Sequence, residues 1–183
     1  RYPDTDLATE SPELSLLVYR EKLAFSTWYT MFPRSAGDQE GRHGTFLDVS
    51  RLLPRIAGMG FDVLHFPPIH PIGIANRKGK NGAKKRDQKD PGSPFAIGDS
   101  DGGHKAIHPE LGSVDDFKNL VQEADALGVE IALDLALRFS FDHPLVRQNP
   151  DWFEKQYSDS IVLSANATLA PPDFTQLKIN PDN

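Results

Sequence analysis

Apolar residues recur at helical spacing in Val114, Phe117, Leu120, Val121, Ala124 and Leu127, so a helix with one apolar face is predicted there. Ser113 and Asp116 have the spacing of a capping box, with Asp in place of the usual Glu or Gln. Gly128 falls where a helix C′ residue belongs, because glycine tolerates positive φ. Residues 129–137 are nearly all apolar, which predicts a strand buried on both faces of a parallel sheet. Toward its end lies Asp134, a carboxylate that needs partners if it is buried. Helix, glycine and buried strand with one acid near its end predict an α/β barrel.

The same logic reads the rest of the chain. Residues 25–32 are aromatic and β-rich and predict the first strand. Thr45 and Asp48 repeat the capping-box spacing, and Phe46, Val49, Leu52, Leu53, Ile56 and Met59 give a second helical face. Pro54 removes a backbone donor inside that helix and predicts a kink or two short helices. Residues 61–66 predict the second strand, and residues 14–23 a short charged helix. From residue 69 to 109 no long periodic segment appears, and a connection of that length is generally functional or disordered. A short helix is expected near residues 145–148, and residues 154–183 lack periodicity. The expected organisation is an arm with a short helix (1–24), the first part of a barrel (25–153) and an irregular segment (154–183).

Composition narrows the class. The chain has 183 residues, enough for one domain but short of a complete eight-fold barrel, which needs about 250. A net charge of −6 argues against nucleic-acid binding. The absence of cysteine removes disulfides and thiolate chemistry. No apolar run approaches the ~20 residues of a membrane span, and the first residues do not resemble a signal peptide, so a soluble cytoplasmic protein is expected. His104 and His108 are four apart, but nearby glycine and proline exclude a continuous metal-binding helix, and no metal or cofactor is expected. Asn166-Ala167-Thr168 fits a glycosylation sequon, which is idle without secretion.

Ile107, Pro109, Leu111, Gly112, Ser113, Asp116, Phe117 and Asp134 fall on an ordered pattern that resembles the α-amylase family, glycoside hydrolase family 13. Further segments resemble its maltosyltransferase branch, which extends α-1,4-glucans from α-maltose 1-phosphate. They include Pro67-Pro68-Ile69-His70-Pro71-Ile72-Gly73, Arg77-Lys78-Gly79, Ala96-Ile97-Gly98, Gly103-His104 and Asp142-His143-Pro144. The resemblance runs from about Leu23 to Phe153. It implies the first three βα units of a (β/α)8 TIM barrel with a long insert after the second strand. It also implies a retaining transfer of maltosyl through a covalent intermediate.

By this resemblance Lys78 contacts substrate, Asp182 aligns with a substrate-contacting Asp across a diverged stretch, and Asp134 organises the site. His143 is expected to order the loop after the third strand. Arg138 stands where the family has Gln, either to meet the donor phosphate or to pair with a nearby Asp. The family's nucleophilic Asp, acid–base Glu and third Asp have no counterpart here, so no residue is assigned as catalytic. The partners implied are α-maltose 1-phosphate and α-1,4-glucan, with the remainder of a barrel or a second copy of the chain against the sheet. Two other readings remain: a non-catalytic carbohydrate-binding or interaction fragment, and an α-glucan hydrolase.

Overall fold

The computed structural model describes residues 6, 12–75, 77, 79, 90–153 and 174–178. In chain order the elements are α1 (Glu21–Ala24), β1 (Trp28–Thr30), α2 (Phe46–Gly58), β2 (Val63–Phe66), α3 (Val114–Ala126), β3 (Glu130–Leu133), β4 (Arg138–Phe139), α4 (Pro144–Gln148) and β5 (Thr175–Gln176). The strands β1, β2 and β3 form one parallel sheet in that order, with Tyr29 opposite Leu64 and Leu64 opposite Ile131. A two-stranded antiparallel ribbon joins β4 to β5.

Both long helices start with a complete capping box. Thr45 Oγ1 accepts from Asp48 N–H, and Asp48 Oδ2 accepts from Thr45 N–H at 2.9 Å. Ser113 and Asp116 repeat the exchange before α3, with the return bond at 2.7 Å. Aspartate therefore serves where Glu or Gln is usual. Asp48 also meets Arg42 at 2.7 Å and Arg51 at 3.1 Å. The Arg42 hydrogen bond, with those from Thr45, holds the Asp48 carboxyl at about 2 against the opposing effect of burial. Gly128 closes α3 with φ +75, as its position after the apolar run predicts.

One core joins the two helices to the sheet. Phe46, Val49, Leu53 and Ile56 of α2 pack with Leu120 and Ala124 of α3 over Leu64 and Phe66 of β2. Phe46 and Phe117 meet with ring centroids 5.2 Å apart. Leu64 is wholly buried, and truncating it to alanine leaves a cavity worth about 2–5 kcal/mol.

Three local expectations differ from what forms. The helix expected at 14–23 is confined to the four residues of α1. Leu14, Leu16, Leu17, Val18 and Tyr19 are all exposed, so no burial compensates the cost of nucleating a helix there. Of the kink or two short helices expected at Pro54, the two short helices do not form: Pro54 lies inside a single 13-residue helix, α2. Pro54 is exposed, and the helix runs on through it although its nitrogen cannot donate to the Ser50 carbonyl. The third strand stops at Leu133, and it is not buried on both faces. It lies at the sheet edge, which leaves Leu133, Leu135 and Leu137 exposed.

With Trp28 also exposed on β1, both sheet edges carry open backbone and apolar side chains. The purified chain is expected to self-associate in light scattering. A monodisperse monomer with a cooperative melt rejects this expectation.

Candidate functional site

Parallel strands of this kind carry their chemistry beyond their C-terminal ends. There the chain places Met31 to Arg34 after β1, Pro67 to Ile69 after β2 and Asp134 after β3. Asp134 N–H donates to Phe66 C=O at 3.0 Å, so its backbone extends the ladder by one bond. Its side chain is half-buried and has no hydrogen bond among the described residues. Asp134 therefore sits at the rim, outside the strand that was expected to enclose it, and does not need the partners that full burial would demand.

The long connection after β2 is held to this rim by backbone bonds. Gly73 N–H donates to Ala96 C=O at 2.8 Å, and Gly98 N–H donates to Pro71 C=O at 2.7 Å. Ser140 N–H donates to Ile97 C=O at 2.7 Å. Ile97, wholly buried, is thus the hub between residues 72 and 139. Arg77 braces the connection at its base. Its guanidinium donates to the carbonyls of Gly73, Asp90 and Ile72 at 3.0, 2.9 and 2.8 Å. A guanidinium spread over three carbonyls is a structural tie, which gives Arg77 of the Arg77-Lys78-Gly79 segment a bracing role. Lys78, the next residue, and Asp182 lie outside the described residues.

Three motif segments meet at His143: Ala96-Ile97-Gly98, Gly103-His104 and its own Asp142-His143-Pro144. Leu145 N–H donates to His143 Nδ1 at 3.0 Å, which makes Nδ1 the acceptor. In the neutral ring the proton is then on Nε2, which lies 3.1 Å from His104 Nδ1. His104 Nε2 in turn lies 2.8 Å from Ala136 C=O, which can only accept. Both imidazoles are therefore Nε2–H tautomers in one directional chain from α4 to the segment after Asp134. Gly98 and Gly103 form the slot for the His143 ring: an added Cβ would lie 2.3 and 2.0 Å from its atoms. Phe139 closes the cluster, with ring centroids 4.6 Å from His104 and 5.0 Å from His143.

Burial first, then the nearby His104 and His70, push the His143 pKa down to about 4. Burial also lowers His70. Between pH 6.5 and 4 the unfolded chain takes up a proton at His143 that the folded chain refuses, so stability falls as pH falls through that window. The loss reaches about 3 kcal/mol by pH 4 for His143 alone. Urea midpoints compared at pH 7.5 and 4.5 check this; equal stability at both rejects a neutral buried His143.

Asp142 is committed to the backbone. Its Oδ2 accepts from Ile74 N–H at 2.8 Å and Ala75 N–H at 2.5 Å, and Oδ1 accepts from Arg147 at 3.2 Å. Burial alone would raise its pKa, but these donors overcome it and the pKa is lowered. Arg138, exposed on β4, lies over Phe174 at 4.8 Å and Phe95 at 5.5 Å. Two aromatic faces hold the guanidinium by cation–π attraction. It has no acidic partner and no hydrogen bond among the described residues.

A separate hollow beside this rim is lined by Phe32, Arg34, His43, Ile69, His70 and His108. His43 and His108 stack with centroids 5.2 Å apart, although 65 positions separate them. Spacing along the chain could not reveal this pair, nor the His104–His143 pair.

No family model matches the chain. An α-amylase from Lactobacillus plantarum superposes on 83% of the chain and 31% of its own length, with TM-score 0.59 and 32% identity. A maltogenic α-amylase from Thermotoga neapolitana superposes on 84% of the chain and 32% of its own length, with TM-score 0.60 and 27% identity. Parallel strands, intervening helices and these matches define a partial α/β barrel, similar over most of the chain to enzymes of the α-amylase family. Within that family its curated sequence relatives are α-1,4-glucan:maltose-1-phosphate maltosyltransferases. The relative from Chlorobaculum tepidum is 49% identical over 180 residues, 95% of the chain. One from Streptomyces coelicolor is 47% identical over 182 residues. The chain spans 27% of the length of each. Among the described residues no helix is long and apolar enough to cross a membrane.

Proposed function

We propose that this chain is the N-terminal part of the catalytic barrel of a maltosyltransferase. That enzyme moves maltosyl from α-maltose 1-phosphate to the non-reducing end of α-1,4-glucans, as a step of α-glucan biosynthesis in the cytoplasm. The observation that carries this reading is the 47–49% identity, over nearly the whole chain, to relatives of that name. Residues 25–153 then belong to the barrel, residues 1–24 form an arm, and residues 154–183 begin the insert after the third strand. Lys78 and Asp182 contact substrate. Asp134 orients groups at the rim, and His143 fixes the segment from Ala136 to Leu145 through His104. No residue of the chain is assigned as nucleophile or acid.

Arg138 faces the donor in this reading. Its N–H edge can form two parallel bonds to a phosphate, which the family's Gln cannot match in charge. Binding of α-maltose 1-phosphate and of maltose is measured by calorimetry before and after Arg138→Gln. The phosphorylated sugar is expected to bind better, with about a tenfold loss of that preference in the variant. Equal binding of the two sugars by the unaltered chain counts against the maltosyltransferase reading. A preference that survives the substitution removes only Arg138 from it.

A non-catalytic carbohydrate-binding role is the second reading. It is favoured by Asp142, whose carboxylate is occupied by backbone and Arg147 donors and is unsuited to acid catalysis.

A further inference from the structure

His43 belongs to the loop between β1 and α2, while His108 and Glu110 belong to the turn before α3. Their candidate ligand atoms all lie within 4.8 Å of one another. The geometry points to a binding site for a late first-row divalent cation of the Zn2+ type, held by His43, His108 and Glu110, that clips these two segments together. The donor set of two imidazoles and one carboxylate suits zinc and its neighbours better than Mg2+ or Ca2+, which take oxygen ligands.

The hydrogen bonds already present prepare the ligands. His43 Nδ1 lies 2.8 Å from Gly44 C=O, which can only accept, so Nδ1 carries the proton and the Nε2 lone pair is free in the neutral ring. A backbone carbonyl behind a ligating imidazole is the usual way of fixing its tautomer and orientation. His108 Nδ1 receives only a long 3.2 Å bond from Glu110 N–H, which a cation can displace. The Glu110 carboxylate is exposed and has no partner among the described residues, so it is free to turn inward. Ligands around a tetrahedral Zn2+ stand roughly 3.4 Å apart, as bond lengths of about 2.1 Å require. Closing the three groups thus takes side-chain rotation of about an ångström. Water completes the fourth position.

The site is tested on the full 183-residue chain after chelator treatment. Titration with ZnCl2 in a calorimeter is expected to give one saturable site per chain, with affinity in the micromolar range or tighter. Co2+ in place of Zn2+ is expected to give the visible absorption of a four-coordinate ion, and Mg2+ no saturable heat. Glu110→Gln and His43→Gln are each expected to weaken zinc binding by at least about tenfold. Glu110 is exposed, so its variant keeps the fold. His65→Gln, at a histidine on β2 outside the cluster, is the control and is expected to bind zinc unchanged. The proposal is overturned if zinc shows no saturable binding below about 100 µM. It is equally overturned if either cluster variant falls short of the tenfold loss, or if His65→Gln weakens binding as much as they do.

Discussion

Purified chain incubated with α-maltose 1-phosphate and a maltooligosaccharide is expected to release no phosphate above background. Retaining transfer needs a carboxylate nucleophile and a carboxylic acid about 5–5.5 Å apart across the scissile bond. At the C-terminal rim the described carboxylates that could serve are Asp134 and Asp142. Asp142 is held ionised by two backbone N–H groups and Arg147, with its pKa lowered, so it has no proton to give a leaving group near neutral pH. Both Asp142 oxygens already accept hydrogen bonds, so it is not free to attack as a nucleophile either, and Asp134 alone cannot act as nucleophile and acid in the same step. Glu110 and Asp116 lie at the start of α3, where Asp116 is already occupied by its capping box. Turnover is assayed with chain freed of host enzyme. Sustained phosphate release that disappears in Asp134→Asn or Asp142→Asn would show that a competent pair exists among these residues.

Gly98→Ala is expected to destabilise the fold by about 3–5 kcal/mol, a large part of the 5–15 kcal/mol by which a domain of this kind is stable. Gly98 has φ +101, where a side chain costs about 1–3 kcal/mol. The new methyl would lie 2.3 Å from His143 Cδ2, so the ring must leave its slot. That breaks the bonds to His104 and Leu145, worth about 1 kcal/mol each, and unpairs polar atoms of a side chain only 3% exposed. Gly58→Ala is the matched control. It ends α2 with nothing within 4 Å of the added carbon, and it is expected to be neutral or slightly stabilising. Urea unfolding of the two variants measures the contrast; a cost below about 1 kcal/mol for Gly98→Ala rejects the slot.

The two long helices were legible because their signals are local. Thr45 with Asp48, Ser113 with Asp116, and Gly128 act within a few residues; the apolar spacing picks out the buried Phe46, Val49, Leu53 and Ile56 of α2 and Leu120 and Ala124 of α3, while Met59, Val114, Val121 and Leu127 on the same faces stay exposed. The strand after Gly128 was legible in position but not in burial, because burial depends on what lies beside β3 rather than on its own residues. The His143 cluster was legible only as separate motifs. That Gly98, Gly103 and His104 converge on one ring, with Ala136 holding His104 from behind, is set by backbone pairing across the long connection, which no periodicity encodes. The roles proposed for Lys78, Arg138 and Asp182 rest on family resemblance, since charge and spacing alone do not separate a sugar-phosphate ligand from a solvated side chain.

The tie made by Arg77 also bears on how the connection can vary over time. The carbonyls of Ile72, Gly73 and Asp90 meet at one guanidinium, so the chain leaves the barrel and returns to it at a common collar. Beyond a closed collar, added length costs only closure entropy, about 0.6 kcal/mol for each doubling. Insertions and deletions between Gly79 and Asp90 are therefore cheap, while the collar residue is not exchangeable. Lysine, a single point charge on a flexible stem, cannot span three carbonyls. Length polymorphism should therefore collect inside the collar, leaving the rim that holds Asp134 and His143 in place.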